Sequence, residues 1–387
     1  MKTILNRTEY ETFELIRPAK RENNPKRSYL LVNPIQAKHI PAPPRKTYAL
    51  MEQLGRMLVE RYRGERCAVI GFAETATAIS GVVAECFDPD TLYLHTTREP
   101  VSNMKNLVSF EEEHSHATEQ KLYCCDGGGP LREAERIIFV EDEITTGKTI
   151  LNFIDALRGN GCVSEGTGFA VASLVNSMDG ERLDRYRSLG IDLNYLLRIE
   201  GDFENLAFDE SELPSGKGTP AEEAAVPAVT LLGGRLDPRT GVRAGEYRAA
   251  TAQFARESAA LLAEGGDPSG RILVLGAEEF MYPAVLAALA VSERFPDCEV
   301  RVHATTRSPI VPHNNPNYPI RNRAMLESFY EAGRTTYVYN LGPYDRALVV
   351  CDGLDSRSRG PEELVRELAA WGCRDVRIAR WTRGGEG

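Results

Sequence analysis

Three pieces of this chain occur twice, in the same order. RCAVIGFAET (66–75) is echoed by RILVLGAEEF (271–280). LYLHTTREP (92–100) is echoed by VRVHATTRSP (300–309), and RIIFVEDEITTGKT (136–149) by RALVVCDGLDSRSRG (346–360). Gly71 pairs with Gly276, Arg98 with Arg307 and Asp142 with Asp352, at offsets of 205, 209 and 210, so the register drifts little. A further stretch, TLLGGRLDPRTG (230–241), takes the place of YLLVNPIQAKHI (29–40). Each echo alone is weak, but an ordered series points to an internal duplication. Each short apolar run breaks at Gly or acid and leads into a helical pattern such as ATAISGVVAECF or TGKTILNFIDALRGNG. GTGFAVASLV (166–175) and LNYLLRIEG (193–201) add two more strands. Buried strands alternating with helices make an α/β fold with parallel sheets covered on both faces.

A chain of 387 residues has room for two such domains. The segment FDESELPSGKGTPAEEAAVP (208–227) is rich in Pro, Gly, Ser and Glu and reads as a linker. The expected division is an extension (1–28), a first domain (29–207), a linker (208–228) and a second domain (229–387). A net charge of −10 argues against a broad nucleic-acid or anionic-membrane surface, and no helix-turn-helix signal is present. A local basic pocket for a phosphorylated metabolite remains open. The eight cysteines form no CxxC pair, which points to reduced core thiols. With neither a secretory apolar core nor a membrane-length apolar run, the expected location is the cytoplasm, with no membrane partner.

IIFVEDEITTGKT (137–149) carries the chemistry. Its Gly-Lys-Thr suggests a nucleoside-triphosphate loop, but such a loop needs glycine where Asp142 stands. The strand 137–140 delivers Glu141 and Asp142 to the carboxyl edge of a parallel sheet, where open α/β folds bind ligands. Adjacent carboxylates accept hydrogen bonds from a vicinal diol such as the ribose 2- and 3-hydroxyls. Thr145, Thr146, Gly147, Lys148 and Thr149 then turn into a helix, whose unpaired N–H groups and hydroxyls cradle one phosphate. Acids for a sugar diol followed by a phosphate cradle describe a ribose-5-phosphate site.

From Val140 to Thr149 the sequence resembles the 5-phosphoribosyl-1-pyrophosphate (PRPP) motif of type I phosphoribosyltransferases. The whole layout resembles the two-part proteins of tellurite-resistance (Ter) stress gene clusters, which join such a domain to a C-terminal domain named for its TRSP motif. Here that motif is Thr306-Arg307-Ser308-Pro309. The resemblance implies two tandem phosphoribosyltransferase-like, Rossmann-like domains, the second degenerate. It implies transfer of ribose 5-phosphate from PRPP to a base-like acceptor with release of pyrophosphate, using Mg²⁺ with Asp142 as the metal-side residue, in biosynthesis of a nucleoside-like metabolite. Glu141, Asp142 and Arg98 would be catalytic, and Gly71, Phe72, Ala73, Glu74 and Thr75 the pyrophosphate loop, although this loop lacks the Lys or Arg often found there. Lys105, His114, His116 and Lys121 would lie on or beside a mobile loop within 101–121. Asn33, Gln36, Lys38 and His39 would belong to a hood that selects the base; a plain surface arm is the alternative.

In the second half Cys351 replaces Glu141 and DSRSRG replaces the Thr/Gly turn, so PRPP binding of the usual kind is not expected there. Arg235, Asp237, Arg239, Thr306, Arg307, Ser308 and Asp352 could form a second site for an anionic small molecule, since arginine suits bidentate oxyanion capture. Ordinary surface ion pairs in a degenerate, structural half are the rival. A non-catalytic PRPP-binding regulator and a hydrolase or phosphorylase-like enzyme are the alternative functions. The oligomeric state is open, and a dimer is compatible with the sequence.

Overall fold

The computed structural model describes all residues except 23–26, 102–103, 105–106, 112–118, 202, 204–226, 265, 374 and 384–387. The chain forms two compact units.

The first unit is built on a seven-stranded sheet. Its order is Lys2–Asn6, Asp192–Glu200, Gly168–Asn176, Arg136–Ile144, Cys67–Gly71, Leu92–His95 and Val242–Arg243. The five inner strands run parallel, and the two outer ones are antiparallel to their neighbours. Cys67–Gly71 is buried along its whole length, as a central parallel strand requires. One core cluster joins Phe72, Phe139, Phe153 and Phe169, with the Phe139 and Phe169 rings stacked 5.9 Å apart. Helix Lys148–Gly159 contributes Ile150, Leu151, Phe153, Ile154 and Leu157 to the buried side. That spacing is one stripe of a 3.6-residue period.

The second unit has a five-stranded, all-parallel sheet ordered Val229–Leu232, Asp375–Trp381, Arg346–Cys351, Arg271–Gly276 and Glu299–Ala304. Its centre repeats that of the first sheet. Gly71 lies opposite His95 and Val140, and Gly276 lies opposite Ala304 and Val350. The glycines serve the same purpose in both units. A Cβ on Gly71 would stand 2.0 Å from the Ser80 hydroxyl, and one on Gly276 2.5 Å from the Phe280 carbonyl. Only glycine lets the following chain turn this close to the strand.

The two units do not follow the expected boundaries: the extension 1–28 is split between them, and residues 208–226 of the expected linker lie outside the described residues. The first unit comprises Met1–Thr12, Ala49–Phe203 and Leu236–Ala249; the second comprises Phe13–Tyr48, Glu204–Arg235 and Ala250–Gly387. The segments before the first long helix of each half have therefore changed places. In the second unit Ala42 bridges Val302 antiparallel; in the first, Val242 pairs antiparallel with Tyr93. Tyr93 and Val302 are equivalent positions at the same offset of 209 that relates Arg98 to Arg307. The earlier parts of the two stretches differ more. Tyr29–Val32 pairs antiparallel with Arg17–Lys20, whereas Val229–Leu232 pairs parallel with Asp375–Trp381.

Two fragments, 1–207 and 229–387, therefore each lack part of a fold. We expect neither to give a cooperative thermal melt alone by circular dichroism. A fragment melting at the temperature of the intact chain would contradict the exchanged segments.

Candidate functional site

The acidic pair stands on the sheet and not beyond it. Strand Arg136–Ile144 runs four residues past the expected end at Val140, because Gly168–Asn176 continues beside it and pairs Glu141 with Ser173, Glu143 with Val175 and Ile144 with Asn176. Glu141, Asp142 and Glu143 are half-buried between the buried Val140 and Ile144. Ser177 donates to Glu143 at 3.3 Å.

Thr145 and Thr146 then bend the chain into Gly147, which caps helix Lys148–Gly159 with φ of 69°. This left-handed conformation favours glycine. Space demands it as well, since a Cβ here would lie 2.4 Å from the Met178 methyl and 2.5 Å from the Tyr186 hydroxyl. The Gly147 carbonyl accepts from the Tyr186 hydroxyl at 2.6 Å and from the amides of Ile150 and Leu151. Burial pushes the Tyr186 phenol well above its ordinary pKa, and the Glu141 charge adds to the rise, so it stays a donor. Lys148 is exposed, and its amide faces the Thr146 hydroxyl at 3.4 Å.

The loop after Cys67–Gly71 is held from several directions. The Phe72 amide donates to Val140 O at 3.0 Å, and the Thr96 amide to Gly71 O at 2.8 Å. The Ala73 amide donates to the Thr96 hydroxyl at 2.9 Å. Gln120, fully buried, donates to Ala73 O at 2.6 Å and accepts from the Thr96 hydroxyl. The Ala73–Glu74 peptide bond is cis. Glu74 is buried, and Thr75 donates from its hydroxyl to Asp142 Oδ1 at 2.9 Å. The loop and the acidic pair thus meet at one sheet edge. Arg98, partly buried, follows Thr97, whose backbone bridges Lys121 through two 2.9 Å hydrogen bonds.

The stretch 101–122, where a mobile loop was expected, contains an antiparallel pair, Val108–Glu111 with Glu119–Leu122. Lys105, His114 and His116 lie outside the described residues. Gln120, Met178 and Tyr186 went unread in the sequence. Gln120 follows a stretch without periodicity, and Tyr186 sits on a short helix whose other residues are mostly charged.

The residues expected in a hood are in the second unit, and all four are buried. Asn33 Oδ1 accepts from the amides of Ile35 and Gln36, and Lys38 Nζ donates to the carbonyls of Glu278 and Thr305 at 2.8 and 2.9 Å. His39 packs against Tyr339, with ring centres 6.1 Å apart. The residues grouped as a second site are divided. Asp237 and Arg239 are in the first unit, paired with each other at 3.4 Å. Arg235, Thr306, Arg307, Ser308 and Asp352 are in the second. There Arg235 pairs with Asp352 at 2.7 Å, and Arg307 with Glu278 at 2.6 Å. These ion pairs are largely buried, whereas the rival reading places them at the surface.

Residues 15–202 match the family described as phosphoribosyl transferase, and residues 237–368 match the TRSP domain found C-terminal to it. The chain belongs to the phosphoribosyltransferase family with a C-terminal TRSP domain. No curated protein matches the sequence. Among solved structures it is similar to adenine phosphoribosyl transferase from Trypanosoma brucei, at 12% identity over 50% of this chain and 81% of that one, with a TM-score of 0.35. Orotate phosphoribosyltransferase from Aeropyrum pernix is similar at 19% identity over 49% and 88%, with a TM-score of 0.29. The fold described above rests on the strand order of the two sheets and not on these likenesses.

Among the described residues no three His, Cys, Asp or Glu side chains gather as a metal cage. Glu141 and Asp142 fit Mg²⁺ in its usual manner, in which one or two carboxylates share the ion with water and substrate phosphates.

Gly147→Ala should destabilise the first unit by about 1–3 kcal/mol, through overpacking against Met178 and Tyr186 and a strained φ. Urea unfolding of the full chain checks this; an unchanged midpoint would show that the turn tolerates a side chain.

Proposed function

We propose that the first unit binds PRPP at its carboxyl sheet edge and transfers the phosphoribosyl group to a ring nitrogen of a base-like acceptor, releasing pyrophosphate. The observation that carries this reading is the 2.9 Å hydrogen bond from Thr75 to Asp142, which sets the loop at 71–75 against the acidic pair. Glu141 and Asp142 accept from the ribose 2- and 3-hydroxyls. Thr145–Thr149 surround the 5-phosphate with hydroxyls and first-turn amides of helix Lys148–Gly159. Gly71–Thr75 and Arg98 face the diphosphate.

In the reaction the bond between the anomeric carbon and the diphosphate oxygen breaks, and its electron pair leaves with the diphosphate. The acceptor nitrogen supplies the pair for the new carbon–nitrogen bond. Positive charge grows on the ribose ring, and the fixed carboxylates stabilise it through the hydroxyls they hold. Anchoring the phosphate and the diol together keeps the anomeric carbon in line with the acceptor. Mg²⁺, held on the Asp142 side, would neutralise charge on the leaving diphosphate.

The resemblance of the layout to the two-part proteins of tellurite-resistance gene clusters supports a role in making a nucleoside-like metabolite. No described helix is long and apolar enough to cross a membrane. Asn33, Gln36, Lys38 and His39 are not assigned to the acceptor, because their described contacts lie within the second unit.

Calorimetry with PRPP and Mg²⁺ tests the site. Asp142→Asn should weaken binding by about 10- to 100-fold, the loss of one or two charge-assisted hydrogen bonds. Wild-type protein that does not bind PRPP, or an Asp142→Asn variant that binds it equally well, would overturn the assignment. Binding with no pyrophosphate release across a panel of purine, pyrimidine and related bases would favour a regulator.

A further inference from the structure

The second unit keeps the frame of the first site but fills it differently. Three backbone donors are conserved in place. Ala277 N donates to Val350 O at 3.0 Å, Thr305 N to Gly276 O at 3.0 Å, and Glu278 N to the Thr305 hydroxyl at 3.0 Å. Their counterparts in the first unit are Phe72 to Val140, Thr96 to Gly71 and Ala73 to Thr96. These bonds align Glu278 with Ala73. A methyl group in one loop is a carboxylate in the other.

That carboxylate is surrounded as a bound anion would be. Its Oε2 accepts from Arg307 Nε at 2.6 Å and from an Arg334 amino group at 3.2 Å, while Oε1 accepts from the Ser328 hydroxyl. Arg334 also donates to Ser328 at 2.7 Å. The Glu278 side chain is 1% exposed, and Arg307 is 11% exposed. Glu278 takes a φ of 47°, uncommon for a residue with a side chain, and Lys38 Nζ holds its carbonyl at 2.8 Å. Arg307 is the counterpart of Arg98, the residue assigned above to the diphosphate.

We propose that the second unit retains an oxyanion seat, formed by Arg307, Arg334 and Ser328, and keeps it closed with its own Glu278 carboxylate. The ligand class of the seat, once emptied, is a small oxyanion: inorganic phosphate or pyrophosphate. The unit is thus a self-occupied copy of the diphosphate site, and the guanidinium groups that look available in the sequence are committed internally. The choice of anion rests on the reading of Arg98; the closure of the seat does not.

The test is a calorimetric titration of the full chain with pyrophosphate and Mg²⁺. Glu278→Ala should bind one equivalent more than wild type, and Glu278→Ala combined with Arg307→Met should lose that extra equivalent. If the first unit does not bind pyrophosphate, the counts become none for wild type and one for Glu278→Ala, so the two readings fail separately. A folded Glu278→Ala variant with no added site would overturn the proposal, as would a wild-type site that Arg307→Met alone removes. Should Glu278→Ala not fold, Glu278→Gly decides, since it empties the seat and glycine accepts the φ of 47°. This variant should melt roughly 5–15 °C below wild type, because Arg307 and Arg334 lose the carboxylate they share, and added phosphate should raise its melting point saturably and by more than it raises that of wild type. Equal phosphate responses in the two proteins would contradict a closed seat.

Discussion

Everything at the two sheet edges hangs on the same three hydrogen bonds. The first residue after the central strand donates to the neighbouring strand on one side, the strand on the other side donates back to the glycine, and a threonine hydroxyl takes the next amide. Nearly all buried backbone groups must find partners. With these three fixed, the loop has little choice of path. It turns over a glycine that no side chain could replace and presents its next residues at the carboxyl edge, where a parallel sheet collects its ligands.

What differs is the chemistry placed on that frame. In the first unit, strand Arg136–Ile144 ends in acids and a Thr/Gly turn, and the loop contributes Ala73 and Thr75. In the second, the strand ends at Cys351 with Asp352 next, and Asp352 is consumed by Arg235 and Tyr330, each at 2.7 Å. A Cβ on Gly353 would meet the Tyr330 ring at 2.6 Å, so the aromatic ring lies where the chain leaves the sheet. A buried charge is tolerated when it is paired and hydrogen-bonded. Glu278 and Asp352 both meet that condition with protein groups.

Much of this was legible in the sequence because it depends on short-range pattern. Apolar runs ending in Gly71, Gly276, Val140 and Val350 fix buried parallel strands, and the Thr-Thr-Gly-Lys-Thr turn announces a capped helix. Other features depend on partners distant in sequence. The strand extends to Ile144 because Ser173 and Val175 run beside it, which the acids at 141–143 could not announce. The segments around Lys38 and Arg239 read alike in both halves, but their local pattern cannot say which sheet they join, and each joins the unit of the other half. The arginines of the second half read as free cations because their carboxylates, Glu278 and Asp352, are 29 and 117 residues away.

The central claim is that one half of this chain has an open PRPP site and the other a closed oxyanion seat. A crystal structure of the full chain grown with PRPP and Mg²⁺ tests it most directly. The account predicts one PRPP molecule, in the first unit, with its 5-phosphate against Thr145–Thr149 and its diphosphate between Gly71–Thr75 and Arg98, and Glu278 still joined to Arg307. PRPP bound in the second unit with Glu278 displaced, or a first-unit edge left empty at saturating PRPP, would contradict it.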